Sequence, residues 1–137
     1  DTYELLARKI SFFNGVSPED VAKIFARGNA VEYEPAQMLF EKGDPGNTMY
    51  VILNGRVKIR DGAKQIAILQ TGDIFGEMSL VSDAPRSATA VTMTQTDLLV
   101  LSFDDILHNL PSQVGAQLLV NIIITLADRL RRANTGE

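Results

Sequence analysis

The chain has no cysteine and a single histidine, His108. The first absence excludes a disulfide framework and any thiolate metal site. The second excludes a multi-histidine centre, so no metal is expected and His108 is read as a solvated or helix-closing residue. No nucleophile stands beside a base in any motif, so no catalytic residue is assigned and no enzymatic activity is expected. Excess positive charge is missing too: 13 Lys and Arg against 17 Asp and Glu leave a net charge of −4, which argues against nucleic-acid binding by this chain alone. The charge-free run from His108 to Ala127 has the length of a membrane span, but Pro111, Ser112, Gln113, Gly115, Gln117 and Asn121 make it too polar, and no membrane association by this chain alone is expected. No signal peptide precedes Asp1, which with the lack of cysteine leads us to expect a cytoplasmic protein. Opening on Asp1 rather than Met is what an excised piece of a longer protein would show, so an output function is expected in flanking sequence.

What is present is ordinary globular composition, 45% hydrophobic and 22% charged over 137 residues, read as one domain, 1–137. Its punctuation divides it into three parts. Over 1–28, Tyr3, Leu5, Leu6, Ile10 and Phe13 recur at helical spacing with Arg8 and Lys9 opposite, predicting a first helix. Ser17-Pro-Glu-Asp20 starts a second, with Ser17 as cap and Val21, Ile24 and Phe25 as its buried face. Over 29–102, short β-branched or alternating runs are broken by Gly43-Asp-Pro-Gly46, Asn54-Gly55, Asp61-Gly62 and Thr71-Gly-Asp73. Arg56-Val-Lys-Ile-Arg60 alternates, so Val57 and Ile59 face inward and the basic side chains face water. Strands at spacings of about ten residues predict a mainly β fold with flanking helices, an antiparallel β-roll of jelly-roll type whose mouth or interior can hold a ligand. Over 103–133 helices return: Ser102 caps a short one and Pro111 opens a last one reaching about Arg132. Between Leu118 and Leu130 only Asn121, Thr125, Asp128 and Arg129 are not apolar, and 121, 125, 128 and 132 form one narrow polar stripe. More of this helix calls for burial than one contact with the roll would cover, so it is expected to pair with a partner helix or to cover a ligand.

The densest signal runs from Phe75 to Ala90. Ile74 and Phe75 end an apolar strand, Gly76 permits a backbone path closed to other residues, and Glu77 to Val81 can form one helical turn whose first N–H groups face an anion. Arg86 supplies a full charge and a planar fork suited to two phosphate oxygens, and Pro85 fixes the backbone that delivers it into a strand from Ser87 to Met93. A carboxylate at Glu77 would repel bare phosphate, so it implies a ligand that also carries hydroxyls. A ribose 2′-hydroxyl donating to Glu77, with the ring's own phosphate on Arg86, reconciles the two charges. In this form Phe75, Gly76, Glu77, Leu80, Arg86, Ser87 and Ala88 resemble the phosphate-binding cassette of the cyclic nucleotide-binding domain family, the type found in catabolite activators, protein kinase A regulatory subunits and cyclic nucleotide-gated channels. The run Met49-Tyr-Val-Ile-Leu-Asn-Gly55 and the turn at Gly72-Asp73 extend the resemblance over about residues 12–130.

The resemblance implies a β-roll and a regulatory module without a cofactor, whose ligand is cyclic AMP or cyclic GMP. It puts the phosphate on Gly76, Arg86, Ser87 and Ala88 and the ribose on Gly76, Glu77 and Met78. The base would rest on Ile59, Ile66 and Ala67, with Asn134 reaching it from the last helix. Family members that take cyclic GMP carry threonine after the arginine; Ser87 keeps the hydroxyl but lacks the methyl that fixes its rotamer, which favours cyclic AMP. Movement of the last helix would carry binding to an output domain or to a second copy in a homodimer. Two other readings are weaker. A degenerate roll used only as a structural or dimerisation module would be expected to lack Glu77 or Arg86, and a cupin-like enzyme needs histidine and carboxylate metal ligands that this chain does not have.

Overall fold

The computed structural model describes residues 1–135 of the chain. The strands are β1 (Asn29–Tyr33), β2 (Met38–Phe40), β3 (Thr48–Asn54), β4 (Arg56–Asp61), β5 (Lys64–Gln70), β6 (Ile74–Phe75), β7 (Thr89–Thr92) and β8 (Thr96–Ser102). They form two antiparallel four-stranded sheets, ordered β1-β8-β3-β6 and β2-β7-β4-β5, the β-roll expected from the turn spacing. Side chains of both sheets meet in a core of Tyr50, Ile52, Val57, Phe75, Ala90 and Leu98. The opposite face of the first sheet, with Met49, Val51, Leu99 and Leu101, packs beneath the helices on Phe12, Phe13, Val21, Ile24, Leu118 and Ile122. Covered on both faces, β3 reads as an unbroken apolar run, whereas β5 alternates exposed and half-buried positions because its outer face meets water.

The helices depart from expectation in two places. The first, α1, spans Thr2–Lys9 and stops there; Ile10 is extended, and Ser11–Phe13 form a separate 3-10 turn. The break lets Ile10, Phe12 and Phe13 all be buried, which a continuous helix could not do because positions 10 and 12 lie on opposite sides of it. Leu5, placed in sequence on the inner face, is 55% exposed. Helix α2 spans Pro18–Arg27 as expected, with Ser17 Oγ accepting from Asp20 N at 3.2 Å. After β8, Ser102 Oγ accepts from Asp105 N at 3.0 Å and a short π-helical turn covers Asp105–Asn109, with His108 exposed and its Nδ1 3.0 Å from Asp104 Oδ1.

The last helix, α3, spans Ser112–Thr135. Here the polar stripe starts from the roll side. Asn121 is buried; its amide donates to Phe12 O and Asn14 O, both at 2.8 Å, and accepts from Gln117 Nε2 at 3.0 Å. The carbonyls at the end of a 3-10 turn need external donors, and Asn121 supplies them. Solvent instead meets Val120, Ile123, Ile124 and Leu130. Among the described residues no helix is long and apolar enough to cross a membrane.

Candidate functional site

The chain enters the site on β6, where Phe75 pairs with Tyr50 of β3 and its ring stacks on the tyrosine at 4.8 Å and 4°. Gly76 then takes φ +81°, left-handed, and turns the backbone into a 3-10 turn over Glu77–Leu80. A Cβ there would lie 2.9 Å from Arg86 Nη1 and 3.1 Å from Thr48 O, so glycine is required for conformation and for space. The segment after Pro85 is clamped from outside the ladder: Arg86 N donates to Asp44 O and Gly43 N donates to Arg86 O, both at 2.8 Å. For this reason β7 begins at Thr89 rather than at Ser87.

Arg86 is 6% exposed, and its fork points into the protein. Nη1 donates to Gly76 O and Ser79 Oγ at 3.2 Å each; Nη2 donates to Thr48 O at 2.9 Å and Thr48 Oγ1 at 3.2 Å. Of the five guanidinium N–H groups, the one on Nε is buried without a hydrogen-bond partner. The fork expected to grip two phosphate oxygens is therefore engaged by the roll, and the Nε side of the guanidinium lies against the backbone of Gly46. Burial holds the guanidinium below the ordinary arginine pKa, an effect that Tyr50, Asp44 and Glu77 partly offset.

Beside Arg86 lies a cavity of about 400 Å³. Phe40, Ile59, Ala67, Leu69 and Phe75 form an apolar wall, and Gly76, Glu77, Met78, Ser87, Ala88 and Arg129 also line the cavity. Ile59 and Ala67 are direct partners across β4 and β5. Ile66 does not line the cavity. The register slips beside it, with Arg60 opposite Gln65, and Ile66 is 55% exposed on the outer face. Asn134 also lies outside the lining, exposed on the last turn of α3.

The α3 residue that does reach the site is Arg129, which the sequence reading did not assign. Its Nη1 donates to Glu77 Oε1 at 2.6 Å and its Nη2 to Ile74 O at 2.5 Å, and Glu77 is only 7% exposed. Arg129 follows Thr125 by four positions, as Thr125 follows Asn121, so it adjoins the polar stripe, and that spacing was the available signal. Phe40, Gly46 and Thr48, which surround Arg86, carried none beyond a turn and strand pattern.

The family model for the cyclic nucleotide-binding domain matches residues 30–110. The chain is similar to the CRP-like cAMP-activated global transcriptional regulator of Mycobacterium tuberculosis, 30% identical over 138 residues covering 97% of this chain and 60% of that protein. Among solved structures, a cyclic nucleotide-binding domain from Methylobacillus flagellatus is 32% identical with a TM-score of 0.80, covering 95% of this chain and 77% of that one. The catabolite activator protein of Thermus thermophilus is 30% identical with a TM-score of 0.78, covering 92% and 61%. The chain thus spans about three fifths of the length of the bacterial regulators it matches.

Proposed function

The chain belongs to the cyclic nucleotide-binding domain family, and from that premise we propose that it is a regulatory module that binds cyclic AMP in preference to cyclic GMP and passes binding through α3 to an output outside this chain. The observation that carries the reading is that Arg86, a buried cation without a carboxylate partner among the described residues, and the buried carboxylate of Glu77 line the same cavity. A buried cation gains most from an anion, so a phosphate beside Arg86 supplies the counter-charge that the roll leaves out. Gly76, Ser87 and Ala88 would frame that phosphate. Glu77 accepts from Arg129 on Oε1, and a carboxylate has acceptor positions to spare for a ribose 2′-hydroxyl. The base would lie on Ile59 and Ala67. The presence and burial of both Glu77 and Arg86 weigh against a degenerate structural roll.

Transmission is assigned to Arg129, because the carboxylate that would receive the ribose already holds α3. A second copy of the chain is the partner we favour for α3. Ala116, Val120, Ile123, Ala127 and Leu130 follow one another at alternating steps of four and three, all exposed, which is the spacing of a coiled-coil seam. The cysteine-free composition fits a cytoplasmic setting. Titration calorimetry with both nucleotides tests the reading, with sedimentation for the dimer. If neither nucleotide binds below about millimolar, on the order of −4 kcal/mol, the structural-module reading replaces it.

A further inference from the structure

Two residues outside the cassette pack against the Arg86 guanidinium. Phe40, at the end of β2, sets its ring centroid 4.3 Å from Arg86 Cζ; the Tyr50 ring stands farther off, at 5.9 Å. Phe40 is itself packed on Tyr50 and Phe75, with centroids 5.6 and 6.0 Å away, so neighbouring rings support it under the guanidinium. Gly46, in the turn before β3, is the closest approach of all. A Cβ on it would fall 2.2 Å from Arg86 Nε, 2.4 Å from Cζ and 2.7 Å from Nη2. Its backbone is outside the left-handed region, so space alone demands the glycine. No carboxylate forms an ion pair with Arg86 among the described residues; the buried cation rests on carbonyls, hydroxyls and an aromatic face.

We propose that Phe40 and Gly46 are positioning residues of the anion site: Phe40 through a cation–π contact, and Gly46 by leaving room, hold the Arg86 guanidinium in its place beside the cavity before any ligand arrives. The aromatic face suits this task because it stabilises the charge without competing for the N–H groups, whereas a carboxylate would neutralise the cation that the phosphate needs. Gly46 makes the arrangement compact by letting the main chain touch the guanidinium. The proposal rests on the reading that Arg86 meets the phosphate.

The test has one arm that needs no ligand. In nitrogen-edited NMR of the nucleotide-free protein, the Arg86 Nε–H resonance should carry a ring-current shift that Phe40→Leu removes, Phe40→Tyr keeps and Gly46→Ala displaces. In titrations with cyclic AMP, Phe40→Leu should weaken binding about threefold to tenfold and Phe40→Tyr should restore it, the range expected of a partly desolvated cation–π contact. In an Arg86→Ala background Phe40→Leu should have no further effect. The same loss in that background would make Phe40 only a wall of the cavity and overturn its positioning role. A resonance unmoved by Phe40→Leu would overturn the contact itself. If the parent protein binds no cyclic AMP, the functional reading fails, while the resonance still decides whether Phe40 holds Arg86.

Discussion

Arg86 and Glu77 share one cavity but are held by different parts of the molecule. Arg86 takes its partners from the roll: Thr48 on β3, Gly76 and Ser79 in the cassette, and the Phe40 ring. Glu77 takes its partner from α3, where Arg129 crosses 52 positions of sequence to reach it. The anion half is thus preset by β2, β3 and the cassette turn. The hydroxyl half is bound to a helix that Asn121 fastens near its middle and whose later turns expose Ile123, Ile124 and Leu130. A site built this way separates affinity from communication: the first half supplies binding, and the second makes binding felt by the helix.

Removing the roll-borne charge should have the largest effect. Arg86→Ala is expected to cost about 2 to 5 kcal/mol of cyclic AMP binding, as for loss of one member of a buried charge pair, while thermal melting still shows a folded protein. Unchanged affinity by calorimetry would locate the anion elsewhere. Glu77→Ala should cost about 1.5 to 3 kcal/mol, the worth of a hydrogen bond to a charged group, and only for ligands with a 2′-hydroxyl. The 2′-deoxy analogue is the control, and equal losses for both ligands would make Glu77 a shaper of the turn.

Cutting the tie between the halves should leave binding nearly intact. Arg129→Met is expected to cost about 1 to 3 kcal/mol of stability, because it leaves the buried carboxylate of Glu77 without its partner. Its main signature is in communication: hydrogen exchange over 123–135 should respond to cyclic AMP in the parent and not in the variant. A response that persists would assign transmission to another contact. The smallest effect is expected at Ser87. Cyclic AMP should lead cyclic GMP by about 1 to 2 kcal/mol, and Ser87→Thr should narrow the gap by about 0.5 to 1 kcal/mol by fixing the hydroxyl's rotamer. A competition assay in which cyclic GMP displaces cyclic AMP at equal concentration would reverse that preference and leave the halves as described.

Much of this molecule was legible in the residue order because its determinants are local. Turn residues mark the ends of strands, Ser17 and Ser102 cap the segments that follow them, and the left-handed Gly76 beside Glu77 and Arg86 announces a cassette, since each depends on neighbours within a few positions. Ile59 and Ala67 came out on the cavity wall because strand alternation assigns faces. Ile66 did not, because the alternation along β5 that turns Ala67 inward turns its neighbour Ile66 outward. What tertiary structure alone decided is which distant groups satisfy one another. Asn121 turned inward to donate to carbonyls more than a hundred positions away, the Arg86 fork closed on Thr48 rather than opening to the cavity, and Arg129 took the carboxylate of Glu77. Buried polar groups must find partners wherever the fold puts them, and a helical or strand period says which face a side chain occupies, never which carbonyl or carboxylate the rest of the chain will bring against it.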